Sequence, residues 1–190
     1  MQGFAYFPTV VYRDEQPELA SKILPVCKHY LDQARTSSAN MVQSAHIAEE
    51  PAMQDLAKYL LVSAVNILKE QGYFVEKYEF YLSGLWVQEL GKWSGTNSHV
   101  HGHSQICGWF FLEAPQGGAY PVYHDPRMNK AVMELEFNVG PEVNNATKEI
   151  HFNNVVPGTA MFSNSWMQHQ LIGGDSETPT RCVHFMVSHR

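Results

Sequence analysis

Long hydrophobic runs are missing from this chain: no stretch approaches the ~20 consecutive apolar residues that a membrane helix requires, so no membrane span is expected. The opening residues, Met1-Gln2-Gly3-Phe4-Ala5-Tyr6, do not read as a signal peptide. Basic residues are scarce, with 13 Lys and Arg against 19 Asp and Glu and a net charge of −6. That balance argues against a nucleic-acid partner, because such affinity rests on neutralising many phosphates. It leaves room for a small anionic metabolite, which one arginine in a pocket can hold. Cysteine is rare as well. Cys27, Cys107 and Cys182 are odd in number and share no metal-type spacing, and the last two lie in apolar runs. They read as buried thiols of a reducing compartment, which points to the cytoplasm. No repeat, low-complexity tract or linker divides the chain, so residues 1–190 are expected to form one domain.

What is present changes character partway along. Phe4 to Tyr12 reads as a strand. Pro17 opens a helix through Leu19, Ile23, Leu24, Cys27 and Leu31, with Pro25 as a kink or break, and Thr36 to Asn40 form a loop. Pro51 fits the first position of a second helix, whose stripe is Leu56, Leu60, Ala64, Ile67 and Leu68 and whose end is Gln71-Gly72. From Tyr73 onward the period is alternating. Expected strands are Phe74–Leu82, Leu85–Leu90, Ser98–His103, Ile106–Leu112, Ala119–Tyr123, Val132–Val139, Thr147–Asn153, Thr159–Ser163, Gln168–Ile172 and Arg181–Ser188, with Gly- and Pro-containing turns between them. The expected fold is mostly β with N-terminal helices: residues 1–72 supply a strand and helical support, and residues 73–190 a jelly-roll or cupin-like core. Exposed strand edges make a homodimer the expected assembly.

The chemistry concentrates in Asn97-Ser98-His99-Val100-His101-Gly102-His103-Ser104. On an extended segment, side chains two apart share a face, so the alternating imidazoles converge. Imidazole suits iron, zinc, copper and nickel, and two from one segment need only a third from elsewhere. His169 is that third candidate. The apolar run Ile106–Leu112 would wall a dry cavity beside them. The remaining histidines, at positions 29, 46, 124, 151, 184 and 189, read as surface or hydrogen-bonded residues. Arg181 opens an apolar final strand and needs an anionic partner: either a carboxylate of the chain or the carboxylate of a ligand.

Seven short motifs occur in order: Trp86-Val87-Gln88; His99-Val100-His101-Gly102-His103-Ser104; Cys107-Gly108-Trp109-Phe110-Phe111; Asp125-Pro126-Arg127; Pro157-Gly158 followed by Phe162; Ser165-Trp166-Met167-Gln168-His169; and Arg181 followed by Phe185. This order, from about Leu85 to the C-terminus, resembles the iron(II)/2-oxoglutarate-dependent oxygenases, in particular small members with a His-x-His element. The resemblance implies a double-stranded β-helix fold and a dioxygenase that uses Fe(II), 2-oxoglutarate and O2. It further implies hydroxylation of a small-molecule or peptide substrate with release of succinate and CO2. Carried over, His99, His101 and His169 are the metal ligands, with His101 where the family has a carboxylate, a vacancy that Asp125 could fill. Arg181 corresponds to the residue that pairs with the far carboxylate of 2-oxoglutarate, with Gln88 and Tyr123 as further cosubstrate contacts. His103, Trp109, Asp125 and Arg127 are expected around the ligands or against the substrate.

Two other readings stay open on the residues themselves. One is a cupin-like metalloenzyme with three histidines and no 2-oxoglutarate, which would need no arginine facing its metal. The other is a non-catalytic jelly-roll binding module, with its histidines turned to solvent or closed around a structural ion.

Overall fold

The computed structural model describes residues 2, 7–36, 39–127, 143–144 and 146–190. Among them the chain forms β1 (Val11–Glu15), α1 (Pro17–Ala34), β2 (Met41–Gln43), α2 (Gln54–Glu70), β3 (Phe80–Leu90), β4 (Ile106–Glu113), β5 (Tyr120–His124), β6 (Glu149–His151), β7 (Thr159–Asn164), β8 (His169–Ile172) and β9 (Thr180–His189). A six-stranded sheet has the order β1-β7-β4-β9-β3-β2 and a three-stranded sheet the order β6-β5-β8, with antiparallel pairing throughout. From β4 onward the chain passes repeatedly between the two sheets, as a double-stranded β-helix does.

The alternation of each strand divides its side chains between two cores. Leu85, Val87, Phe110, Leu112, Val183, Phe185 and Val187 point from the large sheet to the helices. There they meet the buried stripes Ala20, Ile23, Cys27 and Leu31 of α1, and Leu56, Leu60, Ala64, Ile67 and Leu68 of α2. Leu90, Trp109, Phe111, Met161 and Cys182 point the other way and pack with Tyr123 and Leu171 of the small sheet. The functional residues gather in this second, inter-sheet core.

Gly108 shows why β4 carries a glycine beside Trp109. A Cβ there would lie 1.8 Å from the Met161 carbonyl oxygen, so only a bare backbone lets β7 pair this closely. Gly158 closes the turn before β7 with a φ of +93°, the left-handed region that glycine enters without steric cost.

Several expected elements differ. The first strand is Val11–Glu15; Phe7 to Val10 are not in a strand, and residues 4–6 lie outside the described part. α1 runs through Pro25 without ending, because the stripe on either side of the proline holds the helix against the sheet. Phe80–Leu90 is one strand with an irregularity between Leu82 and Gly84, preceded by a short 3-10 turn at Val75–Lys77. Ser98–His103 is not a strand: only His99 makes a bridge, to His169, and Gly102-His103 is a turn. The strand expected at Val132–Val139 lies outside the described residues.

Candidate metal centre

His99 and His169 face each other across one two-way backbone bridge, each amide donating to the other's carbonyl at 3.0 Å. Two residues on, the His101 amide donates to the Ser165 carbonyl at 2.9 Å. The segment around the first two histidines is thus stitched to the turn that delivers the third. His184 joins them from the middle of β9. One nitrogen from each of His99, His101, His169 and His184 lies within 4.8 Å of every other. Ring centroids are 4.8 Å apart for His99 and His101, 4.7 Å for His99 and His169, and 5.2 Å for His101 and His169.

The tautomers are set locally. His99 Nδ1 lies 2.6 Å from the Asn97 carbonyl and His169 Nδ1 lies 2.7 Å from the Met167 carbonyl. A carbonyl can only accept, so both Nδ1 atoms carry the proton and both Nε2 atoms offer a lone pair, which is how metal-binding histidines are held. His101 Nε2 is buried without a hydrogen-bond partner. Burial lowers both His101 and His169 to about 4, with the neighbouring rings adding to it, so both are neutral and competent ligands at pH 7. Cys107 Sγ sits 4.0 Å from His169 Nε2, but burial pushes this thiol up to about 11, so it offers no thiolate. The donor chemistry therefore fits a divalent first-row metal held by imidazole.

Around the rings stand aromatic walls. Trp109 meets His169 edge-on at 5.2 Å and Tyr123 at 6.2 Å, and Tyr123 lies 6.2 Å from His169. Trp86 Nε1 and Trp109 Nε1 are buried donors without a partner, and the Tyr123 hydroxyl, beside Ser163, makes no well-formed hydrogen bond. Unmet donors in a dry site are costly unless a ligand meets them. On one side a groove of about 490 Å³ opens onto His101, walled by Tyr73, Tyr78, Val100 and Trp166. On the other, a cavity of about 510 Å³ is bounded by Tyr123, His124, Asp125, Arg127 and Met167.

The residues named from sequence divide accordingly. His99, His101, His169, Trp109 and Tyr123 come together. Gln88 is buried on the same face of β3, but its amide is committed to Gln43 at 3.0 Å. Asp125 does not enter the histidine group; its carboxylate takes a two-pronged contact from Arg127 at 2.9 and 2.7 Å. Arg127 is exposed. His103 does not converge with the others, because the turn at Gly102-His103 interrupts the alternation and leaves its side chain exposed.

Arg181 is the clearest correction. It shares a face with Val183 and Phe185, under the helices, and donates to Glu89 Oε2 at 2.6 Å and to Glu113. Arg35 and Lys28 complete the cluster, at 2.8 Å from Glu89 and 2.9 Å from Glu113. Burial alone would raise both glutamates, yet these cations hold both lowered. The anionic partner that Arg181 required is the chain's own. His184 is the residue that sequence reading missed. The signal for it was parity: counted along β9, position 184 faces the inter-sheet core and position 181 does not.

A family model for 2OG-Fe(II) oxygenases matches residues 84–186. No curated protein matches the sequence. Among solved structures, the fold is similar to the non-heme alpha ketoglutarate dependent epimerase SnoN from nogalamycin biosynthesis (TM-score 0.67, 10% identity, 95% of this chain and 76% of that one). It is also similar to a Pseudomonas putida prolyl-4-hydroxylase (0.58, 9%, 94% and 92%). A third is HygX from Streptomyces hygroscopicus with nickel, 2-oxoglutarate and hygromycin B bound (0.61, 11%, 95% and 83%).

Proposed function

The chain belongs to the 2OG-Fe(II) oxygenase family, and from that premise we propose that His99, His101 and His169 hold its iron while the inter-sheet core receives 2-oxoglutarate. The observation that carries this reading is the convergence of three imidazoles, two of them fixed by backbone carbonyls with Nε2 free. When bound, the iron and 2-oxoglutarate supply the oxidising chemistry, which consumes O2, releases succinate and CO2 and hydroxylates the substrate. The chain's residues orient and exclude. His99 and His169 are locked in rotation by their Nδ1 contacts. Trp109, Tyr123 and Met161 keep water from the centre. Trp109 Nε1 and the Tyr123 hydroxyl offer hydrogen bonds to the cosubstrate's carboxylate, in place of Arg181.

The substrate is a small molecule or a peptide side chain that enters along the groove past His101, whose wall of Tyr73, Tyr78, Val100 and Trp166 favours an apolar or aromatic surface. Three free, buried cysteines agree with a reducing compartment such as the cytoplasm. No helix among the described residues is long and apolar enough to cross a membrane. A homodimer through an exposed sheet edge fits the same reading, as does a single domain over residues 1–190.

The test is succinate release from 2-oxoglutarate by the iron-loaded protein with ascorbate, compared with His169→Ala. Succinate from the native protein and none from the variant is the expected result. One observation favours a second reading, a three-histidine enzyme without 2-oxoglutarate: Arg181 faces away from the histidines. Substrate-dependent O2 uptake that ignores 2-oxoglutarate would replace the first reading with this one.

A further inference from the structure

Gln105 stands in the groove that opens onto His101, and its side-chain oxygen is buried there without a hydrogen-bond partner. The backbone on either side is fixed. The Gln105 amide donates to the Val187 carbonyl at 2.8 Å, and the Gln105 carbonyl accepts from the Ser165 amide at 3.0 Å. The Ser165 carbonyl in turn accepts from the His101 amide at 2.9 Å, so one residue ties Gln105 to His101. The other amide lining the groove lacks nothing: Asn164 and Gln71 exchange two hydrogen bonds, at 3.0 and 2.9 Å. An acceptor left dry beside a satisfied pair is costly unless a ligand supplies the donor.

The rest of the wall sets the kind of molecule. None of the described residues lining the groove is an Asp, Glu, Lys or Arg, so nothing there offsets the desolvation of a charged guest. Tyr73, Tyr78 and Trp166 stand half exposed along it, and their rings pack well against another ring. Its volume of about 490 Å³ is that of a small-ligand pocket. A peptide would bring a donor and an acceptor at every residue. The groove holds one buried unmet acceptor besides the His101 nitrogen assigned to the metal. Resting on the substrate path proposed above, we infer that the groove takes an uncharged, fused-ring aromatic small molecule whose hydroxyl or N–H donates to Gln105 Oε1. Gln105 is then the residue that sets specificity. Through Ser165 it fixes where the molecule lies relative to His101, and hence which of its C–H bonds faces the metal centre.

The probes are 2-naphthol, 2-methoxynaphthalene, which keeps the rings without the donor, and 2-naphthoate, which is charged. Equilibrium dialysis against the metal-free full chain measures their binding. 2-Naphthol should bind about tenfold more tightly than either of the others, the worth of one hydrogen bond to a buried acceptor. Gln105→Leu should shrink its preference over the methyl ether to within about twofold, and Trp166→Ala should weaken all three probes. Equal affinities for 2-naphthol and its methyl ether, a preference for 2-naphthoate, or a Gln105→Leu variant with the native preference would overturn the proposal. Should Gln105→Leu fail to fold, the native ratios and Trp166→Ala decide, since Trp166 is exposed and its loss leaves the core intact; unchanged 2-naphthol affinity in that variant would place the binding elsewhere. No metal or 2-oxoglutarate enters this measurement. Selective binding by a protein that releases no succinate would therefore keep the groove assignment and remove the metal and cosubstrate assignment.

Discussion

Arg181 and His184 stand three residues apart on β9 and face opposite sides of the sheet: the guanidinium goes to Glu89 and Glu113 beneath the helices, the imidazole to the histidine cluster. The first prediction follows from the pairing of Arg181. Arg181→Ala leaves Glu89, 8% exposed at its side chain, with one cation where it had two. Arg35 stays in place, so the loss is that of a hydrogen bond to a charged group, about 2 kcal/mol. Urea unfolding should show that loss, whereas the 2-oxoglutarate dependence of the folded fraction should match the native protein. A large rise in the Michaelis constant for 2-oxoglutarate with unchanged stability would contradict the placement of Arg181.

A second prediction concerns the cosubstrate. The Tyr123 hydroxyl is fully buried and makes no well-formed hydrogen bond, and burial raises it far above the ordinary tyrosine range, so it stays a donor. Tyr123→Phe removes that donor and little volume. The apparent Michaelis constant for 2-oxoglutarate should rise roughly tenfold, the worth of one hydrogen bond to a charged acceptor. Co(II) affinity should stay within about twofold of native, since the metal ligands are untouched. An unchanged Michaelis constant would take Tyr123 out of the cosubstrate site.

The histidines show how far the sequence carries. His99 and His101 were legible because alternation needs only two extended residues to put two rings on one side, and the chain supplies those two. His103 was not, because Gly102 turns the chain at the next step. The helices were legible from stripes such as Leu56, Leu60 and Ala64, whereas Pro25 left a kink or a break open, and the break is absent because packing on both sides outweighs one lost backbone bond. Arg181 and His184 were misread for one reason. An apolar strand buried on both faces has no polar alternation to reveal which face is which. Only the pairing of β9 with β3 and β4 assigns position 184 to the rings and position 181 to the carboxylates.

A third prediction is a pH dependence of the metal-free protein. Burial lowers His101 and His169 to about 4 from the ordinary 6.5. Between those values the unfolded chain takes up protons that the folded chain refuses. Stability therefore falls as the pH drops from 6.5 towards 4, by up to about 1.4 kcal/mol per pH unit for each ring. Above 6.5 the two rings add no slope. Urea midpoints at pH 7, 6 and 5 should show the fall, and His169→Gln should make it shallower by one ring's share. A His169→Gln slope equal to the native one would mean that His169 titrates normally in the folded protein.

The last prediction links the sheet to the centre. Gly108 pairs with Phe162 across the β4–β7 ladder, and a Cβ on it would meet the Met161 carbonyl oxygen at 1.8 Å and its carbon at 2.9 Å. These are backbone atoms, so no side-chain rotation relieves the contact; β7 itself has to move. Gly108→Ala should cost about 3 kcal/mol, the upper end of the usual range for overpacking. The displacement has a direction that matters for the metal. Trp109, next to Gly108, touches His169, and β7 runs into the turn whose Met167 carbonyl fixes His169 Nδ1. Parting the two strands shifts the His169 support relative to the other rings. Co(II) affinity should therefore fall together with stability, although residue 108 faces the helices and lies on the opposite side of the sheet. Urea unfolding and Co(II) titration of the variant measure both, and native affinity in a destabilised Gly108→Ala protein would show that the centre tolerates movement of β7.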